Sequence, residues 1–356
     1  MEKIIIITGP TGGHFFPGLA IGERLKNHFK VKFFIPQREF ILKILKNKKF
    51  DYKIIPSVKV NKKNFFLSVF RVFYLVIFSV QLFRREKPSL VIGTGSYVCI
   101  PFILGAKILN KKIIIHEQNY IPSKTTRFLA PFVNFIFLSF PNYEKLPKKK
   151  CIITGFPLIS DFYKTYSKEE ILKDLGLEKK ETVLIIGGSQ GARFLNNIVV
   201  NHLEYFKAKN FQIILIAGKE KESVEKAIIE KNLSGKVYNF FYEMNKLYAV
   251  ADYVISRAGA GTIAELTMKK IPAFLIPYPY AGNHQKKNAE YLCKIGCAFM
   301  VEERKINDKN FIFLFEEFVK KSQEIRENLK KIDITEKEVI ENFILDLFKK
   351  NEKRNN

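Results

Sequence analysis

Short apolar runs recur along the chain, each closed by a turn or a glycine loop and followed by residues at helical spacing. In the first half they are KIIIITG, VKFFIP, DYKIIP, LVIGTG, KIIIHEQ, FIFLSF and CIITGFP. After a charged linker come TVLIIGGSQG, QIILIAG, VYNFF, DYVISRAG and AFLIPYP. Continuous apolar strands alternating with helices predict parallel sheets covered on both faces. The pattern restarts after residue 181, which predicts an α/β chain of two similar, doubly wound domains. The boundary falls near Pro157, before SKEEILKDLGLEKKET, giving domains 1–157 and 158–337. The last stretch reads as an amphipathic helix ending in the polar KKNEKRNN.

One segment imitates a membrane span. FFLSVFRVFYLVIFSVQLF, residues 65–83, has about the length a bilayer needs. However, Arg71 sits inside it, and Arg84, Arg85 and Lys87 close it. It also runs straight into KPSLVIGTGSY, which reads as turn, strand and glycine loop. A helix linking two strands of one sheet cannot also cross a bilayer. The segment is therefore expected to be a crossover helix with a greasy outer face that dips into a membrane surface beside basic residues.

Composition changes this picture in three ways. At 356 residues the chain is long for one core, in keeping with two domains. The net charge of +25 points to an anionic partner, such as nucleic acid, an acidic membrane surface or a phosphorylated substrate. A Lys-rich compositional bias is the plainer explanation, since Ile, Phe and Asn are inflated too. No RNA-binding motif or aromatic–basic interleaving accompanies the charge, so nucleic acid is not expected. The cysteines are Cys99, Cys151, Cys293 and Cys297. The last two form a lone C-x3-C without a nearby His, too few ligands for zinc, so reduced thiols in a cytoplasmic protein are expected. The opening run IIIIT is too short for a signal peptide.

Candidate chemistry lies in the loops. The first, Gly9 to His14 in GPTGGHFFPG, lacks the G-x-G-x-x-G spacing of a dinucleotide site and the Gly-Lys-Ser/Thr of a P-loop. It is either a tight turn or a backbone cradle for an anion, and its His is unneeded by a pure phosphate cradle. The second loop is Gly93-Thr94-Gly95-Ser96-Tyr97. His116, Glu117, Gln118 and Asn119 close the next strand. For His116 and Glu117 a buried network pinning the loop is the expected role, and for Asn119 a ligand contact. In GGSQGAR, Ser189 and the following N–H groups suit an α- or β-phosphate. SRAGAGTIAEL, 256–266, offers close backbone approach to a diphosphate, and Glu265 could accept from ribose hydroxyls or merely pair with the helix dipole. Arg193 and Arg257 are each either phosphate contacts or ion-pair partners. His284, Gln285 and Asn288, in PYPYAGNHQKKNAEYL, suit sugar hydroxyls or a capping network.

These loops fall at strand carboxyl ends in both halves, so two domains facing across a cleft would hold a long phosphorylated ligand. No D-x-D appears, so neither a metal nor any other cofactor is expected. Helix N-termini and backbone N–H groups would meet the charge, as in a metal-independent nucleotide-sugar enzyme.

GPTGGHFFPGLAIGERL, GTGSYVCIP, IHEQNYIPSKTTRFLA, GGSQGARFLN and SRAGAGTIAEL with HQKKNA resemble the bacterial MurG family, in order and over nearly the whole chain. These are peripheral membrane glycosyltransferases that add N-acetylglucosamine to lipid I, giving lipid II. The resemblance implies two Rossmann-like domains of GT-B type, with the C-terminal helix, about 338–356, packing back on the first. It implies UDP-N-acetylglucosamine as donor, an inverting displacement, lipid I entering on the first domain, and work at the cytoplasmic face of the membrane. By resemblance Thr11, Gly12 and Gly13 contact the donor or its phosphates, Asn119 and Gln285 the sugar, and Ser189 a phosphate. The Phe241 backbone matches the uracil contact. Ala260, Gly261, Thr262, Ile263, Ala264 and Glu265 match the nucleotide loop, with Glu265 on the ribose. His14 is expected to be the general base, taking the proton of the attacking hydroxyl.

The chain departs from the family's usual G-N-P-V-R, which reads GFPLI here, with Phe156 for the Asn and Ile159 for the Arg. Donor affinity is what this puts in question, and Arg193 or Arg257 are the candidates to supply the lost contact. A UDP-N-acetylglucosamine 2-epimerase, another glycolipid glycosyltransferase or a non-catalytic nucleotide-sugar binder are the alternatives.

Overall fold

The computed structural model describes residues 1–57, 65–187, 193–280, 282–336 and 338–355. The chain divides into two compact units, Met1–Ile159 with Thr335–Asn356, and Ser160–Ile334.

In the first unit the order is β1 (Lys3–Ile7), α1 (Gly12–Leu25), β2 (Lys30–Ile35), α2 (Glu39–Asn47), β3 (Asp51–Ile54), α3 (Phe65–Glu86), β4 (Leu90–Gly93), α4 (Cys99–Ile108), β5 (Lys112–Glu117), α5 (Lys124–Leu129), β6 (Phe135–Leu138), β7 (Cys151–Ile153) and β8 (Phe156–Pro157). Seven strands form one sheet in the order β3-β2-β1-β4-β5-β6-β7, and every pair is parallel. Alternate side chains of β1 serve the two faces. Ile5 and Ile7 join a core with Phe83, Phe102 and Ile103, while Ile4 and Ile6 join one with Phe15, Leu19 and Phe33. From Ile4 to Ile7 strand β1 is therefore fully buried, as a central parallel strand must be.

The second unit runs α6 (Lys168–Asp174), β9 (Thr182–Ile186), α7 (Arg193–Val200), α8 (Leu203–Ala208), β10 (Gln212–Ile216), α9 (Lys221–Glu230), β11 (Gly235–Tyr238), α10 (Met244–Val250), β12 (Tyr253–Ser256), α11 (Ala260–Lys269), β13 (Ala273–Leu275), α12 (His284–Lys294), β14 (Phe299–Met300) and α13 (Phe311–Lys330). Its six strands lie in the order β11-β10-β9-β12-β13-β14, again all parallel. The chain then returns to the first unit. There β15 (Thr335–Glu336) pairs with β8, and α14 (Val339–Asn355) buries Ile340 and Ile344 in the β1–β2 face. The Phe343 ring meets Phe135 and Phe137 edge-on, at 4.9 and 5.4 Å.

Both sheets thus share one plan, in which the order reverses beside the first strand. Helices leave the sheet in opposite directions there, and the mouth between them is where ligands of such folds bind. In the first unit that mouth holds the loops after β1 and β4. In the second it lies at the carboxyl ends of β9 and β12. The run CIITGFP, expected as one strand, is two, because Gly155 takes φ +79° between them. Helix α3 extends to Glu86, whose carboxylate receives Lys3 and Lys32 at 3.2 and 2.6 Å. Those ammonium groups hold the Glu86 carboxyl below its usual range against the opposing cost of burial. Among the described residues no helix is long and apolar enough to cross a membrane.

Candidate active site

In the first unit, three loops meet at one carbonyl. The Thr94 oxygen accepts from His14 Nδ1 and from the Gln118 side-chain amide, each at 2.8 Å. A carbonyl cannot donate, so Nδ1 carries the proton and the lone pair of the neutral His14 ring sits on Nε2. The approach is close because glycine permits it. A Cβ on Gly9 would stand 2.6 Å from Ser96 Cβ and 3.0 Å from that of His14. Gly95 holds φ +78°, where a side chain is strained, and turns the loop so that the Thr94 carbonyl faces both donors. Helix α1 begins at Gly12, two residues before His14, with Thr11 at its N-cap.

Behind this cluster lies a second buried layer. His116 is fully buried, with Nε2 3.2 Å from Ser139 Oγ and Nδ1 3.3 Å from the Gln118 amide. Burial pushes its pKa down to about 4; the Glu117 charge opposes this and the nearby His14 adds to it. His116 is therefore neutral at pH 7 and places no positive charge beside His14. Phe156, which stands at the family's Asn position, packs its ring edge-on to His116 at 6.3 Å and helps to keep it dry. Glu117 pins the following loop. Its carboxylate accepts from the Asn119 backbone and side chain at 3.0 and 3.2 Å, from Ser123 N–H at 2.8 Å, and from the Thr126 hydroxyl. Asn119 is thus placed in the same loop cluster, half-buried, by a carboxylate that is itself fully bonded.

In the second unit Ser189 lies outside the described residues. Gly259 is the N-cap of α11, so Ala260, Gly261, Thr262 and Ile263 form its first turn, with Ala264 and Glu265 next. Glu265 keeps some exposed surface, yet burial raises its carboxyl to about 7. The Tyr248 hydroxyl donates to it at 2.8 Å and partly offsets the rise. Gln285, in the first turn of α12, accepts from the Tyr278 N–H at 2.9 Å. Phe241 lies in the loop after β11, its ring 4.8 Å from that of Tyr238.

Both arginines considered as replacements for the family Arg have carboxylate partners within this unit. Arg193 pairs with Glu220 at 3.0 Å. Arg257 is buried, pairs with Glu303 at 2.5 Å, donates to the Ile276 carbonyl at 3.1 Å, and lies between the rings of Phe194 and Tyr278. The structure shows the ion-pair role for each. Ile159 packs against the apolar face of the first unit. Sequence reasoning picked out the loops of Gln118 and Thr94 but not the role of the amide or of the carbonyl, and it missed Tyr248. No local pattern marks a backbone acceptor, and Tyr248 reads as one more apolar residue of α10.

Residues 4–138 match the glycosyltransferase family 28 N-terminal domain, and residues 182–344 the family 28 C-terminal domain. A protein of Halothermothrix orenii is 35% identical over 342 residues, spanning 91% of this chain and 92% of that one. One of Aquifex aeolicus is 36% identical over 338 residues, spanning 92% and 95%. Both are named UDP-N-acetylglucosamine–N-acetylmuramyl-(pentapeptide) pyrophosphoryl-undecaprenol N-acetylglucosamine transferase. The chain belongs to the MurG family of glycosyltransferases. Its fold agrees with that of the family: Acinetobacter baumannii MurG superposes with a TM-score of 0.76 at 22% identity, covering 98% of this chain and all of that one. A Neisseria meningitidis UDP-GlcNAc 2-epimerase, solved with UDP-GlcNAc, superposes with a TM-score of 0.72 at 12% identity, covering 98% and 100%. This GT-B architecture therefore serves both a transferase and an isomerase, and membership of the MurG family rests on the sequence relatives.

Proposed function

We propose that the chain transfers N-acetylglucosamine from UDP-N-acetylglucosamine to the C4 hydroxyl of the muramyl sugar of lipid I, with inversion, giving lipid II for peptidoglycan synthesis. The observation that carries this reading is the shared name of relatives 31–36% identical over nearly the full chain. The geometry of the first unit supports its chemistry. With Nδ1–H held by the Thr94 carbonyl, His14 Nε2 can accept the proton of the attacking hydroxyl as the oxygen bonds to the anomeric carbon. The bond to UDP breaks on the opposite face, and the electron pair leaves with the diphosphate. In the second unit, the start of α11 at Ala260 to Ala264 would meet that charge through backbone N–H groups, and Ser189 would contact a phosphate. Glu265 would accept from the ribose, the Phe241 backbone would bind the uracil, and Gln285 would bind the sugar. Thr11, Gly12 and Gly13 would contact the donor or its phosphates, and Asn119 the sugar.

The enzyme works as a peripheral protein on the cytoplasmic face of the membrane, where a water-soluble donor meets a lipid-linked acceptor. The exposed face of α3 supports this placement. Val69, Phe70, Phe73, Tyr74 and Ile77 stand out from the protein, with Arg71, Arg84 and Arg85 exposed on the same helix. Apolar side chains flanked by arginines suit the headgroup region of an anionic bilayer.

The direct test incubates purified protein with UDP-N-acetylglucosamine labelled in the sugar and lipid I in anionic vesicles. Label should move into the lipid fraction only when lipid I is present. Release of the free 2-epimer without acceptor would instead support the isomerase.

A further inference from the structure

The first unit carries a pocket that the residues above do not use. It has a volume of about 320 Å³ and lies at the carboxyl ends of β2 and β3, between Pro36 and Pro56. Gln37, Arg38 and Ser57 supply its polar groups. Pro10, from the His14 loop, and Tyr97, from the Thr94 loop, also line it. Its size falls at the lower end of small-molecule sites, roughly 300–1,000 Å³. A smaller cavity of about 30 Å³ shares Pro56, Ser57 and Tyr97 with it and is walled by Val72 and Leu75 of α3 and by Ile100 and Pro101 of α4. The two cavities lead from the loops that hold His14 to the helix that exposes Phe70 and Phe73.

Arg38 is exposed, and among the described residues no carboxylate pairs with it. Lys48, by contrast, pairs with Glu23, and Lys3 and Lys32 pair with Glu86. A guanidinium beside an amide and a hydroxyl recognises phosphate oxygens, often through two parallel N–H bonds. An apolar passage leaving the same pocket suits a hydrocarbon chain joined to those phosphates. We propose that this pocket binds the diphosphate of the polyprenyl-linked acceptor, with Arg38 as its cationic partner and the first isoprenoid unit passing Tyr97, Val72 and Leu75. The proposal rests on the transferase reading above and names the group that would select a diphosphate-linked acceptor over a free sugar.

Farnesyl diphosphate is the probe, because it carries the diphosphate and the prenyl chain without the sugar. It should inhibit the wild-type enzyme competitively against lipid I. Its inhibition constant and the KM for lipid I should both rise about tenfold or more in Arg38→Ala, with Arg38→Lys in between. UDP binding by calorimetry serves as the folding reference. Should the alanine variant lose it, Arg38→Gln gives the same comparison. Unchanged constants in a folded variant that still transfers to lipid I would overturn the pocket assignment alone. Equal inhibition by inorganic diphosphate would overturn the prenyl half of the assignment. Failure of the wild-type enzyme to transfer to lipid I would overturn the transferase reading instead, while farnesyl diphosphate binding, read by calorimetry, would still report on the pocket.

Discussion

Burial sets opposite protonation states at two side chains, and each suits its proposed role. His116 is kept neutral, its pKa near 4, so His14 can take up a proton beside it. Glu265 is raised to about 7, so near neutrality it is only partly ionised. The consequence for stability has a definite sign. An unfolded Glu titrates near 4.5, so between pH 4.5 and 7 the folded state holds more protons and stability falls as pH rises. Glu265→Gln should therefore raise the melting temperature at pH 8, by an amount corresponding to about 2 kcal/mol, and change little at pH 4. Ribose hydroxyls donating to the carboxylate would draw off its proton. UDP-N-acetylglucosamine should then bind the wild type more tightly as pH rises through 7, and bind Glu265→Gln more weakly with no such pH dependence. Isothermal titration at three pH values reads both. Neither state was legible in the sequence. Tyr248 and Glu265 are 17 residues apart, and nothing in SRAGAGTIAEL predicts that α10 closes over the carboxylate. The His14–Thr94 bond spans 80 residues and ends on a backbone atom, which has no sequence signature.

At the level of elements, the sequence was informative wherever burial is complete. KIIII and TVLII read as buried parallel strands, and both are central strands of their sheets. It was less informative where one residue decides the geometry, as Gly155 does in splitting CIITGFP. Helix α3 shows both sides of this. Its inner face is legible as core, with Leu75, Leu82 and Phe83 buried, and its outer face leaves Phe70 and Phe73 with 71% and 64% of their surface exposed. Such exposure makes both residues safe to change without loss of the fold. Replacing both with Ser should leave thermal stability within about 1 kcal/mol and weaken co-sedimentation with anionic liposomes at least tenfold, since burying each Phe is worth roughly 1.5–3 kcal/mol. Liposome binding that survives the double substitution would remove α3 from the membrane contact. Binding that is indifferent to salt would remove its arginines.

For the whole molecule, two sheets of the same strand order carry different equipment at the same topological position. The first unit presents an imidazole oriented by a backbone carbonyl, and the second presents the glycine-capped start of α11 and a titrating carboxylate. The doubled architecture was plain from the restart of the strand pattern at TVLIIGG, because each half repeats one physical solution to burying a parallel sheet. The division of labour between the halves was legible only through family resemblance. The account depends most on His14 as the base. The measurement that tests it is the rate of transfer of labelled N-acetylglucosamine to lipid I by His14→Ala, alongside UDP affinity by calorimetry. The rate should fall by about 10² to 10⁴-fold with UDP affinity unchanged. A variant that binds UDP normally and keeps more than about a tenth of the wild-type rate would contradict it.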